Sequence, residues 1–190
     1  MPTRAIARIS KRAPTQKFIF IGSIIIFMKN VLLLVEQDFQ DLEAMYPYYR
    51  LKEAGFSVHV AGSETKEYHG KYGYPIKAES IEKFHAKDID CVVIPGGWAP
   101  DFIRRNEKML AIISEMNKQN KIIAAICHAG WVLASAKVCK GKTLTCFSAI
   151  KDDMINAGAN YVDKEVVVDG NLITSRKPDD LPAFCREIIN

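Results

Sequence analysis

The stretch Ile122-Ile123-Ala124-Ala125-Ile126-Cys127-His128-Ala129-Gly130-Trp131 decides how this chain is read. Five apolar residues, three of them β-branched, run into Cys127. That pattern marks a strand buried on both faces of a parallel sheet. His128 to Ala136 then predicts a helix, with Ala129, Gly130, Ala134 and Ala136 small enough for close packing. A strand that turns into a helix with a thiol at the corner has the geometry of a nucleophile elbow. The turn lifts the side chain above the sheet and faces it with helix-start N–H groups. The positive end of the helix dipole at such a corner favours a thiolate. The alternative reading of Cys127 is an inert core thiol, since cysteine is among the most buried residue types.

Outward from the elbow, strands and helices alternate. Val31 to Val35 is a short, continuously apolar run, and Cys91 to Ile94 is another, ending in Pro95-Gly96-Gly97. Asp38 and Asp41 are placed to cap a helix running to about Gly55, with Pro47 expected to kink or restart it. Ser57 to Ala61 predicts a strand, and Tyr68 to Ala78 a loop or small hairpin. Asn106 to Asn120 predicts an amphipathic helix with Met109, Ile112, Ile113 and Met116 inward. Asp169-Gly170 between Glu165–Val168 and Leu172–Thr174 signals a hairpin, and Asp179 or Asp180 is placed to cap a last helix. This βαβ alternation implies an α/β fold: a doubly wound, mostly parallel sheet with helices on both faces and function at the strands' carboxyl ends.

The composition narrows the classes. In 190 residues, 48% hydrophobic and 25% charged content suits one globular domain. The net charge of +4 is uneven, because residues 1–28 carry five basic residues (Arg4, Arg8, Lys11, Arg12, Lys17) and no acid. Without them, 21 basic face 22 acidic residues, a net of −1, and nothing suggests a nucleic-acid surface. Cys91, Cys127, Cys139, Cys146 and Cys185 are odd in number and lack CxxC spacing. Reduced core thiols in the cytoplasm are therefore expected rather than a disulfide framework. The four histidines are scattered, and no zinc pattern or cofactor motif appears.

Residues 1–28 stand apart as an N-terminal extension, with 29–190 read as the domain. Phe18 to Met28 is an apolar run of eleven residues, short of the ~20 that span a bilayer. It resembles part of a signal peptide or organelle presequence, but no small-x-small cleavage site follows it. The expectation is an upstream extension, as from a misplaced start codon ahead of Met28, that adds nothing to the fold; a retained segment would be a membrane anchor.

Three predicted strands lead to chemically suggestive residues at one rim of the sheet. The first leads to Glu43, which otherwise reads as a helix-end charge on the surface. The second leads to Gly96-Gly97, otherwise only a tight turn. The third leads to Cys127-His128, where His128 could also merely pack or hold a subunit interface. Together, the N–H groups of Gly97 and His128 would form an oxyanion hole.

The combination of Asp38-Phe39-Gln40-Asp41-Leu42-Glu43, Tyr46-Pro47-Tyr48, Pro95-Gly96-Gly97-Trp98-Ala99-Pro100-Asp101 and Ala125-Ile126-Cys127-His128 resembles the ThiJ/PfpI family. The likeness continues through Ile150 to Gly158, Val166 to Asn171, Ser175-Arg176 and Asp180-Leu181. It covers Lys29 to Asn190 and is nearest the PfpI branch of intracellular proteases, in a superfamily that includes the parkinsonism-associated deglycase. The resemblance implies a flavodoxin-like fold with Cys127 as nucleophile, Glu43 as its partner acid and His128 beside it. It also implies a homodimer or larger homo-oligomer in which Asp101 orients the neighbour's His128. Asp101 is one methylene shorter than the archaeal Glu, Gln40 replaces a frequent Glu, and Ala129-Gly130 replaces Gly-Pro.

The resemblance implies thiol chemistry on a carbonyl without a cofactor. The favoured reading is a glyoxalase III or deglycase-type enzyme acting on a reactive aldehyde or its protein or nucleotide adducts, with Glu43 as proton shuttle. A PfpI-type cysteine peptidase is the alternative, weakened because a residue directly after an elbow nucleophile usually points away from it. A non-catalytic stress protein that senses oxidants through Cys127 is the third reading.

Overall fold

The computed structural model describes residues 18–21, 24–27 and 29–190. Two short strands, β1 (Phe18–Ile21) and β2 (Ile24–Phe27), pair antiparallel with each other. The rest of the 1–28 segment, and with it most of the extension expected there, lies outside the described residues.

The apolar runs become the centre of an eight-stranded sheet. Its strands are β3 (Asn30–Leu34), β4 (Ser57–Gly62), β5 (Lys66–His69), β6 (Pro75–Ser80), β7 (Cys91–Ile94), β8 (Ile122–Ile126), β11 (Val166–Asp169) and β12 (Leu172–Ser175). The order is β11-β12-β8-β7-β3-β4-β6-β5. The six strands from β12 to β6 are parallel, and antiparallel hairpins close both edges, β11–β12 on one side and β5–β6 on the other. Central strands β3, β7 and β8 are buried almost throughout, as runs without polar alternation require. A separate parallel pair joins β9 (Thr143–Leu144) and β10 (Asn160–Tyr161).

Helix α1 (Asp41–Glu53) connects β3 to β4, moving one way across the sheet. Helices α2 (Ala99–Ile103) and α3 (Glu107–Lys118) connect β7 to β8, moving the other way. Right-handed crossovers in opposite directions put α1 and α3 on opposite faces. The strand order reverses between β3 and β7, which opens a crevice at their carboxyl ends. The site is built there. Helix α4 (Gly130–Ser135) follows the elbow, α5 (Lys151–Asn156) precedes β10, and α6 (Leu181–Ile189) ends the chain against α1 and β12.

In α3, Met109, Ile112, Ile113 and Met116 fall at i, i+3, i+4 and i+7 and are all buried. Asn106 caps this helix, its side chain accepting the Met109 N–H at 3.1 Å. Truncating a residue such as Ile113, which is fully buried, costs about 2–5 kcal/mol.

Three local expectations are corrected. The cap of α1 is Gln40, whose side chain accepts the Glu43 N–H at 3.0 Å; Asp38 and Asp41 do not cap it. The Asp41 carboxylate is occupied elsewhere, accepting the N–H groups of Tyr72 and Tyr74, each at 3.0 Å. At the last helix, Asp180 makes no side-chain cap and instead receives Arg176 at 2.9 Å and 3.1 Å. Helix α1 also continues through Pro47 without restarting.

Candidate active site

Strand β8 delivers Cys127 to the rim, and the backbone there turns sharply, with a φ of +63° at Cys127 itself. A side chain held in the left-handed region costs of order 1–3 kcal/mol and persists only where surroundings enforce it. Residues Cys127–Ala129 form a single 3₁₀ turn before α4 begins at Gly130, so the helix predicted from His128 starts later and is shorter.

Glu43 is fully buried in the first turn of α1, so it is not a solvated helix-end charge. Its Oε2 accepts the Gly96 N–H at 2.7 Å, while Oε1 is buried without a hydrogen-bond partner. The Cys127 thiol is the carboxyl's other polar neighbour. Burial raises the Glu43 pKa from 4.5 to about 7, against the lowering effects of the Gly96 N–H, the thiol and the Lys71 charge.

The glycines are there because nothing larger fits. A Cβ on Gly96 would lie 2.6 Å from Glu43 Oε2, 2.7 Å from Cys127 Cβ and 2.9 Å from Cys127 Sγ. Gly97 has a φ of +79°, and a Cβ on it would meet Asp38 O and Gln40 N, each at 2.5 Å. The Gly-Gly turn is thus wedged between the elbow and the loop leading into α1. Hydrogen bonds from Gln40 N to Gly96 O and from Trp98 N to Asp38 O tie the two loops together.

The N–H groups of Gly97 and His128, expected to form an oxyanion hole, both act to lower the Cys127 pKa. The His128 ring turns toward the thiol, with Nδ1 3.2 Å from Sγ, contrary to the expectation that it points away. It stacks on Phe147 (centroids 5.0 Å apart) and meets Trp131 edge-on at 5.2 Å. Burial, then the Lys71 charge, push its pKa down, so the ring stays neutral near pH 7.

The helix dipole, expected to favour a thiolate, is opposed here by burial and by Glu43. Burial and the charge of Glu43 push the Cys127 thiol up to about 12, despite the two N–H donors. An ionised carboxylate beside it opposes a second negative charge, and a single 3₁₀ turn brings little dipole to offset it. Above about pH 7 the Cys127–Glu43 pair therefore holds one proton, and below it two.

Asp101 sits away from this cluster within its own chain. It is exposed on α2 and pairs with Arg105 at 2.8 Å. Trp98 is 60% exposed at the cleft edge. Sequence reasoning missed Lys71, Tyr72 and Phe147, which line the cleft, a space of about 310 Å³. Lys71 and Tyr72 arrive on the β5–β6 turn, which is folded around the Asp41 carboxylate. A signal existed in Gly70, where a Cβ would lie 2.3 Å from Asp41 Oδ1.

A family model described as the DJ-1/PfpI family matches residues 29–190. The chain belongs to the DJ-1/PfpI family. It is 46% identical over 161 residues to a Pyrococcus horikoshii protein named deglycase PH1704, covering 84% of this chain and 97% of that one. Bacillus subtilis YraA, provisionally named a cysteine protease, is 42% identical over 164 residues, covering 85% and 96%. Among solved structures, Drosophila melanogaster DJ-1beta superposes with a TM-score of 0.81 at 32% identity, covering 85% of this chain and 89% of that chain. A two-domain Anabaena variabilis protein with DJ-1/ThiJ/PfpI-like and ferritin-like domains gives 0.83 at 45% identity. That match covers 85% of this chain and 47% of the longer one. These relatives and the Cys127 elbow mark a cysteine enzyme of the DJ-1/PfpI family. Among the described residues, no helix is long and apolar enough to cross a membrane, and no cluster of His, Cys, Asp and Glu could hold a metal ion.

Proposed function

We propose that this protein is a cofactor-independent enzyme acting on reactive aldehydes or their adducts, in the manner of a glyoxalase III or deglycase. The observation that carries the reading is the fully buried Glu43 carboxyl beside Cys127, poised at about 7. A general base near the working pH is half ionised and can both take and return a proton.

With methylglyoxal, Glu43 accepts the thiol proton as Cys127 Sγ bonds to the aldehyde carbon. Glu43 passes that proton to the aldehyde oxygen, giving a neutral hemithioacetal and leaving the carboxylate ionised again. The N–H groups of Gly97 and His128, which favour negative charge at Cys127, serve as the donors for the oxygen as charge develops on it. Glu43 then removes the proton from that carbon and returns it to the adjacent carbon through an enediol, while the hydroxyl proton passes to the neighbouring ketone oxygen, converting the hemithioacetal into a lactoyl thioester. Water cleaves the thioester, releasing lactate and restoring the thiol. The net reaction adds one water and changes no cofactor. The name deglycase carried by the Pyrococcus horikoshii relative supports the same chemistry on glycated adducts.

A peptidase is the second reading, favoured by one observation: His128 Nδ1 is 3.2 Å from Sγ. No carboxylate among the described residues holds the other side of that ring, which packs on Phe147 and Trp131. Asp101 of a second copy would have to supply it. Lactate formation from methylglyoxal and cleavage of a fluorogenic peptide, measured side by side, separate the two readings. Saturable lactate formation with negligible peptide cleavage supports the first; the reverse overturns it.

A further inference from the structure

The aldehyde reading leaves open what else the substrate carries, and Lys71 addresses that. Lys71 is the one lysine or arginine among the residues lining the cleft. No carboxylate among the described residues lies within ion-pair distance of it, so its charge is left to the cleft. It lines the same cleft as Glu43, Cys127 and His128, and its charge lowers the pKa of both Glu43 and His128.

Its position is fixed by the fold. The Lys71 N–H donates to Phe39 O at 2.9 Å, and the Asp41 carboxylate holds the following turn through the N–H groups of Tyr72 and Tyr74. Lys71 Nζ lies 5.1 Å from the Tyr72 ring centroid, so the ammonium leans on an aromatic face while its three donors stay available. A buried carboxylate thus organises a turn whose only charged side chain is an unpaired cation at the cleft.

We infer that Lys71 is the substrate-selecting residue of this cleft and that it favours carbonyl compounds bearing an anionic group, a carboxylate or a phosphate, beyond the carbon that meets Cys127. The inference rests on the aldehyde reading for the word carbonyl, but the anion preference itself is a property of the cleft. A neutral aldehyde uses only Cys127, Glu43 and the two N–H donors; an anionic one gains a charge partner.

The test is alkylation of Cys127 by iodoacetate and by iodoacetamide, near-isosteric reagents that differ in charge. In each, an Sγ–C bond forms and iodide leaves. Rates at Cys127 are read by peptide mass spectrometry, so the result does not depend on turnover. Lys71→Met should lower the iodoacetate-to-iodoacetamide rate ratio about tenfold at low ionic strength, the size of one unit charge acting across a partly screened cleft. Lys71→Arg should retain the ratio. An unchanged ratio in Lys71→Met, or equal slowing with both reagents, overturns the inference. A second arm measures protection of wild-type Cys127 from iodoacetamide by glyoxylate, glyceraldehyde 3-phosphate and neutral glycolaldehyde. Stronger protection by glyoxylate identifies a carboxylate, and by the phosphate ester a phosphate; protection no better than by glycolaldehyde overturns the preference. A wild-type protein that forms no lactate from methylglyoxal, while Lys71→Met still lowers the charge ratio, would refute the aldehyde reading and leave the anion site standing.

Discussion

Glu43→Gln should inactivate the protein and, at alkaline pH, stabilise it. Glu43 is fully buried and raised from 4.5 to about 7, mainly by desolvation. The unfolded chain therefore loses this proton first, near pH 4.5, and stability falls as pH rises until the folded group also ionises near 7. At about 1.4 kcal/mol per pH unit, the full penalty is about 3 kcal/mol, most of which accrues between pH 5 and pH 8. Glutamine carries no such penalty. Its carbonyl can keep the Gly96 N–H, while its amide N–H₂ faces the thiol imperfectly paired, at a cost of about 1–3 kcal/mol that does not vary with pH. The variant's stability relative to wild type should therefore rise by about 2–3 kcal/mol from pH 5 to pH 8, as read by urea denaturation. Over the same range, wild-type kcat/KM should climb below pH 7 and level off above it, since the base must be ionised to accept the thiol proton. Lactate formation by the variant should fall 10²- to 10⁴-fold. A stability difference that does not change with pH, or full activity in the variant, would refute the buried-base reasoning.

Gly96→Ala places a Cβ 2.6 Å from Glu43 Oε2 and 2.9 Å from Cys127 Sγ, so turnover should fall at least about 10²-fold, with about 1–3 kcal/mol lost in melting experiments. Asp41→Ala removes the acceptor for Tyr72 N and Tyr74 N and should cost about 2–4 kcal/mol. Because it frees the turn carrying Lys71 without touching Cys127, steady-state kinetics should show KM rising more than kcat falls.

The fold was legible because its signal is local. Unbroken apolar runs at Val31, Cys91 and Ile122 declare doubly buried strands, and the helix periodicity from Met109 to Met116 declares a face. The elbow was legible for the same reason: Gly96-Gly97 and Cys127-His128 each end such a run. What could not be read is what contacts across the sheet decide. The reversed pKa at Cys127 depends on Glu43, far away in sequence, being buried against it. Gln40 caps α1 because the carboxylate of Asp41 is committed to Tyr72 and Tyr74, more than thirty residues on. Lys71 reaches the cleft by the same long-range clamp, so its turn looked like an ordinary surface hairpin. His128 turns inward because Phe147 and Trp131 hold its ring, a packing that its place after the nucleophile does not reveal.

Whether Cys127 is the nucleophile of an aldehyde-consuming enzyme is tested most directly by comparing lactate formation from methylglyoxal by wild type and Cys127→Ser at pH 8. The substitution is nearly isosteric, and only the thiolate is a strong nucleophile at this pH. Saturable turnover in the wild type and its loss in a folded Cys127→Ser variant is the predicted result. Equal lactate formation by the two, with matching circular dichroism, would contradict it.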